Sequence, residues 1–308
     1  MRKNQLIKFI KNGIKTLMNK LPYVKTLYHL NSNSKFPNGH YYSTVVSLDQ
    51  IKLRQNEIWK SPITENIEGI DLRIGEQLQL VEKLTVYFPE IPFTDKKQEK
   101  LRYNFNNSYY SHNDCLILYS IIRHYKPKNI IEIGSGYSSA VMMDTNELFL
   151  NGNINLTFIE PYSGDRLNAL MTETDKKNTT LIQEDVQLVS LDIFKNLKQG
   201  DILFIDSTHA VKTGSDVNYI LFEILPVLSK GVLIHFHDIY FPFEYPKSWV
   251  LDGFGWNEAY FLKAFLMYNM NFKIILFSDY LSKFHKETIQ DMPKIYKSNG
   301  SNLWIEKV

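Results

Sequence analysis

The sequence predicts a doubly wound α/β domain: a Rossmann-like, seven-stranded, mostly parallel sheet with an antiparallel last strand, preceded by an N-terminal helical segment. Three observations lead there. Short runs that are apolar on both faces, such as "NIIEIG" and "DILFID", alternate with helical patterns, as parallel strands covered from both sides do. The first run ends in Gly-x-Gly, a turn on which such folds hold a ligand. The chain closes on "FKIILF" and "SNGSNLWIEKV", a hairpin-like ending suited to one antiparallel strand.

Composition supports a globular chain, since hydrophobic residues make up 44% of the 308 and charged residues 22%. A single cysteine, Cys115, leaves no internal disulfide and no cysteine-based zinc cluster, and it points to a reducing, cytoplasmic setting. No apolar run approaches the roughly 18 residues that a membrane span requires. Charge is uneven. Eight Lys/Arg fall within residues 1–48 ahead of the first acid, Asp49, so the remaining body is net acidic and unlike a general nucleic-acid binder.

The elements follow in order. Residues 1–47 form a basic arm: Leu6, Ile10, Ile14, Leu17 and Leu21 recur at helical spacing among lysines, and a polar, Gly/Pro-punctuated linker follows. The lysines interrupt any signal-peptide core. Two readings of the helix stand open, one lying on an anionic membrane surface and one docking on the body or on a partner subunit. Residues 48–110 read as a helical cap or lid: "SLDQIKLRQNEIW" opens with a Ser/Asp cap signal, and "KLRYNFNNSYYSHND" suits a loop over a cleft. From residue 111 to 308 the pattern alternates, with strands "NIIEIG", "NLTFIE", "TTLIQE", "DILFID", "GVLIHFHDI", "FKIILF" and "NLWIEKV" and helices between them.

In such a fold the first strand-to-helix turn serves a ligand. Gly134 and Gly136 let the backbone turn sharply and come close to it, and Ser138 or Ser139 can cap the next helix. Glu160, at the tip of the second strand, can accept bonds from both hydroxyls of a ribose. Two nucleoside cofactors fit. NAD prefers a third glycine where this chain has Ser139; S-adenosylmethionine, having no phosphate, tolerates serine.

Taken together, "IIEIGSGYSS", "LTFIEPY", "DILFIDSTHAVKTGSDVNYILFEILP", "GVLIHFHDIYFPFEYP", "WNEAYFLKAFLMYN" and "SNLWIEK" resemble a bacterial branch of the class I S-adenosylmethionine-dependent methyltransferases, one that often sits near glycan- or natural-product-tailoring genes. The resemblance covers about residues 45–308 and leaves out the basic arm. It implies S-adenosylmethionine on Glu132, Gly134, Gly136 and Glu160, with Glu184 or Asp185 near the adenine. Ser138 and Asp206 complete the candidate cofactor set.

The chemistry is expected where the fourth and fifth strands end. "FIDSTH" supplies Asp206 and His209; "HFHDI" supplies His235, His237 and Asp238. Methyl transfer to a hydroxyl needs the acceptor oxygen held in line and its proton removed, and a histidine suits that removal. His209 or His237 is the candidate base, with Asp238 beside them in the catalytic set; His235, deeper in its strand, reads as a core histidine. Asp206, His237 and Asp238 also have the ligand types for a divalent metal, which would lower the hydroxyl pKa. Sugar O-methyltransferases that this chain resembles carry an acid pair where it has His-Asp, and imidazole favours manganese, iron or zinc over magnesium.

The leading expectation is O-methylation of a glycan or small metabolite. An NAD-dependent oxidoreductase and a non-catalytic scaffold of the same fold are the alternatives. "FPFEYPKSW" and "NFNNSYY" are the candidate acceptor-selecting segments. Candidate partners are the acceptor, a membrane surface through residues 1–25 and a second copy of the chain. Nucleic acid is disfavoured, because "DSTH" stands where amino-methylating enzymes tend to show Asn/Asp-Pro-Pro-aromatic.

Overall fold

The computed structural model describes residues 34–110, 112–164, 166–286 and 300–308, together with scattered positions between 11 and 26. It divides into two compact units. The first comprises Met1–Ser61 with Lys247–Gly255, the second Pro62–Pro246 with Trp256–Val308.

Within the first unit, α1 (Leu48–Ile58) starts at Ser47, whose hydroxyl accepts from the Gln50 amide as the cap signal predicts. Leu6 and Ile10 of the expected amphipathic arm lie outside the described residues; Ile14, Leu17 and Leu21 are exposed.

The second unit holds a seven-stranded sheet ordered β3-β2-β1-β4-β5-β7-β6. The strands are β1 (Asn129–Ile133), β2 (Asn155–Ile159), β3 (Thr180–Ile182), β4 (Ile202–Ile205), β5 (Leu233–Phe236), β6 (Phe272–Phe277) and β7 (Leu303–Lys307). β1 to β5 pair in parallel, and β7 inserts antiparallel between β5 and β6. Strand order reverses between β1 and β4, so the crevice opens beyond their carboxyl ends.

Helices α2 (Ile74–Thr85), α3 (His112–Tyr125), α4 (Tyr137–Leu150), α5 (Arg166–Leu170) and α6 (Glu258–Leu266) matter most for the site. α3 and α4 bury nearly all of their first three turns, while every residue of β4 and β5 is buried. That double covering is what the uninterrupted apolar strands require.

Residues 48–110, expected as a cap or lid, fall partly in each unit. The reason is burial: Leu72, Leu84, Phe88, Phe93 and Tyr103 sink into the sheet domain. The loop after them is pinned by Arg102. Its backbone and guanidinium donate to Asp144 on α4, and the guanidinium also donates to Asp175 at 2.6–2.8 Å. This leaves Tyr109 and Tyr110 at the crevice mouth.

The segment "FPFEYPKSW" does not select an acceptor from the cleft wall as expected. Phe241, Phe243 and Tyr245 are buried core, packed on Phe277, Tyr280 and Trp256.

Candidate active site

A cleft of about 620 Å³ lies at the strand-order reversal, within the size range of small-molecule and cofactor sites. Its floor is the β1 turn. Gly134 has φ +81°, and a Cβ there would sit 1.9 Å from the Asp206 carbonyl oxygen. This glycine is therefore demanded by the close passage of the β1 and β4 ends, as well as by any ligand. Gly136 is extended and opens α4, donating its amide to Ser139 Oγ at 3.0 Å.

Glu132 lies beneath the floor, wholly buried, and does not line the cleft. It accepts from Ser138 Oγ at 2.5 Å and from Ser139 Oγ. Burial pushes its pKa up to about 8, against the pull of the serine hydroxyls. Its visible work is to hold the first turn of α4. Ser138 reaches the cleft wall while bonded to Glu132.

Glu160 stands on the β2 side, where Oε2 accepts from the Ser135 amide at 3.1 Å and Oε1 from the Tyr162 amide at 2.8 Å. Each oxygen keeps lone-pair capacity for a ligand hydroxyl. A ribose diol fits that pattern. Further along, Asp185, Val186 and Gln187 line the cleft and Glu184 does not.

The far wall carries the titratable cluster. Asp206, His209, His237 and Asp238 all face the cleft. His209 and Asp238 both have φ +56°, a left-handed conformation that non-glycine residues adopt only when surroundings impose it. For His209 the constraint is α6: the Asn257 and Glu258 amides donate to its carbonyl at 3.0 and 3.1 Å. Its Nδ1 meets buried Glu258 Oε2 at 2.8 Å, and Trp256 tilts over the ring at 4.3 Å. Nε2 then lies 3.4 Å from Asp206 and 3.8 Å from Asp238. His237 Nε2 is 3.7 Å from the other Asp238 oxygen, which accepts from Ser301 Oγ at 3.0 Å.

Charge states follow. Burial alone would strip the proton from His209, but bonds to Asp206 and Glu258 prevail and raise its pKa to about 10. That holds its ring toward the protonated form, which suits a hydrogen-bond donor better than the base expected from the sequence. Burial likewise opposes charge on His237, yet Asp238 and Asp206 raise its pKa. Asp206 is held below its ordinary range: burial acts against its charge, and His237 and His209 outweigh it. Burial raises Asp238 despite those neighbours.

The metal set expected from Asp206, His237 and Asp238 is not assembled. Among the described residues no three His, Cys, Asp or Glu side chains are arranged to hold an ion. Instead, Asp206 and Asp238 both turn toward the His209 imidazolium. His235 is a core residue as expected, stacked on Phe204 at 4.0 Å; neither ring nitrogen has a hydrogen-bond partner among the described residues.

Comparison with known proteins bears on this site. A family model described as a methyltransferase domain matches residues 131–239, from the β1 strand through Asp238. An uncharacterized protein from Archaeoglobus fulgidus is 35% identical over 169 residues, covering 54% of this chain and 76% of the relative. The chain carries a methyltransferase domain. This methyltransferase is also similar to two solved structures. One is the S-adenosylhomocysteine-bound Podospora anserina methyltransferase PaMTH1, at 17% identity and TM-score 0.39, covering 89% of this chain and 99% of that one. The other is the O-methyltransferase TomG from Streptomyces achromogenes, at 12% identity and TM-score 0.40, covering 84% and 96%.

Sequence reasoning missed three contributors to the methyltransferase site. Glu258 opens α6 and reaches His209 only through a long-range contact. Arg166 and Tyr137 line the cleft with no spacing motif to announce them.

Proposed function

We propose that this methyltransferase methylates a hydroxyl of a glycan or small hydroxylated metabolite. The observation that carries the reading is the histidine–carboxylate cluster across the cleft from Glu160. S-adenosylmethionine, when bound, supplies a methyl group made electrophilic by its sulfonium. Everything else falls to the chain. Glu160 grips the ribose and Asp185 flanks the adenine. The His209 imidazolium, fixed by Glu258, offers a hydrogen bond to the acceptor oxygen and favours its deprotonation, as a fixed cation would. His237, oriented by Asp238, receives the proton as the carbon–oxygen bond forms and the carbon–sulfur bond breaks. Trp256 gives the wall an aromatic surface of the kind on which sugar rings stack.

The NAD-dependent alternative falls away with the methyltransferase domain, and nothing in the cleft favours a scaffold. For the basic arm the proposal is contact with an anionic membrane surface, supported by its lysines and by exposed Ile14, Leu17 and Leu21. No helix among the described residues is long and apolar enough to cross a membrane.

The test supplies methyl-labelled S-adenosylmethionine with a panel of sugars, phenols and hydroxylated metabolites, and locates label by mass spectrometry. Label on oxygen is the expected result. Label confined to nitrogen, carbon or sulfur would refute the reading.

A further inference from the structure

Three residues from separate parts of the fold meet above the β1 turn. Tyr137 opens α4, Tyr109 comes from the loop before α3, and Arg166 begins α5. Tyr109 and Tyr137 stack with centroids 5.8 Å apart and planes 12° from parallel. The Arg166 guanidinium lies 4.7 Å over the Tyr109 ring, and its Cδ packs 3.3 Å from where a Gly136 side chain would begin. All three line the cleft. Leu167, buried beside Arg166, ties α5 to the body.

A guanidinium laid on an aromatic face is held in orientation while its N–H edge remains available for a bidentate acceptor. What acceptor belongs there follows from the surrounding charge. The cleft is crowded with carboxylates, among them Glu160, Asp185, Asp206 and Asp238. A ligand bringing its own carboxylate needs a cation to receive it. Arg166 and Lys212 are the lysine and arginine residues lining the cleft. Of the two, Arg166 packs over Gly136 of the glycine turn and is close enough to help keep Asp206 charged. That sets Arg166 beside the β1 turn and within the field of Asp206, on the side of the cleft to which the proposed function assigns the cofactor.

We propose that Arg166, held by the Tyr109–Tyr137 stack, is the carboxylate-binding residue for the amino-acid end of S-adenosylmethionine. The inference rests on the cofactor of the proposed function and is independent of which acceptor is methylated.

Calorimetry on the full chain tests it with two probes, S-adenosylhomocysteine and 5′-methylthioadenosine, an adenosyl thioether without the amino-acid tail. Arg166→Met is expected to weaken S-adenosylhomocysteine by roughly ten- to hundredfold, the scale of a charged hydrogen-bond pair. Affinity for 5′-methylthioadenosine should stay within twofold, which also reports an intact fold. Arg166→Lys, keeping charge but not the planar fork, should fall between. Three results would overturn the proposal: equal losses for both probes, no loss for either, or the selective loss appearing in Lys212→Met instead.

Discussion

His209 shows how one residue's surroundings decide its chemistry. Buried among Asp206, Asp238 and Glu258, it is held as an imidazolium with a pKa near 10 against an ordinary 6.5. Because the folded pKa is raised, this pairing stabilises the fold fully below about pH 6.5 and is lost as pH rises through about 10. Melting curves of the wild type and His209→Asn should therefore converge between those limits; a gap independent of pH would contradict the assignment. His237 carries the other role. Its Ala variant should lose turnover while keeping affinity for S-adenosylhomocysteine, so full activity would remove it from the mechanism. Only the unprotonated ring can take a proton, and its pKa is raised. The wild-type rate should thus climb with pH along a limb lying above the ordinary histidine range, which a pH–rate profile on the identified acceptor would reveal.

At the level of elements, the parallel strands were legible because both faces of each are buried, which leaves unbroken apolar runs in the chain. Gly134, Glu160, Asp206, His237 and Asp238 were legible for a related reason: strand ends define a crevice once strand direction is known. Glu258 was not, since its function depends on α6 returning to the β4 loop, a long-range contact that no local spacing encodes. "FPFEYPKSW" misled in the opposite sense, because aromatic content does not distinguish a lid from a core. The Arg102 network belongs to this scale too. It joins the pre-α3 loop to α4 and to Asp175, with Asp144 wholly buried. Arg102→Met should cost roughly 3–5 kcal/mol by leaving that carboxylate unpaired. Urea unfolding would measure it, and a loss below about 1 kcal/mol would show that the network does not hold the loop.

Across the molecule, the two ends of one cleft divide the work. The β1–β2–β3 side presents backbone and carboxylate groups suited to an adenosine, while the β4–β5 side presents paired imidazoles and carboxylates suited to moving a proton. The inserted β7 supports the second side: Ser301, just before it, bonds to both Asp114 and Asp238. The N-terminal arm was legible only as a charge and hydropathy pattern. Its lysines permit a direct check, in which removing residues 1–30 should abolish binding to vesicles containing anionic lipid, whereas undiminished binding would assign the contact elsewhere.

The most direct measurement is a crystal structure of the full chain with S-adenosylhomocysteine. The ribose hydroxyls should rest on Glu160, with the sulfur turned toward His209 and His237. A nucleoside seated away from Glu160, or a sulfur facing away from the β4–β5 cluster, would contradict the account.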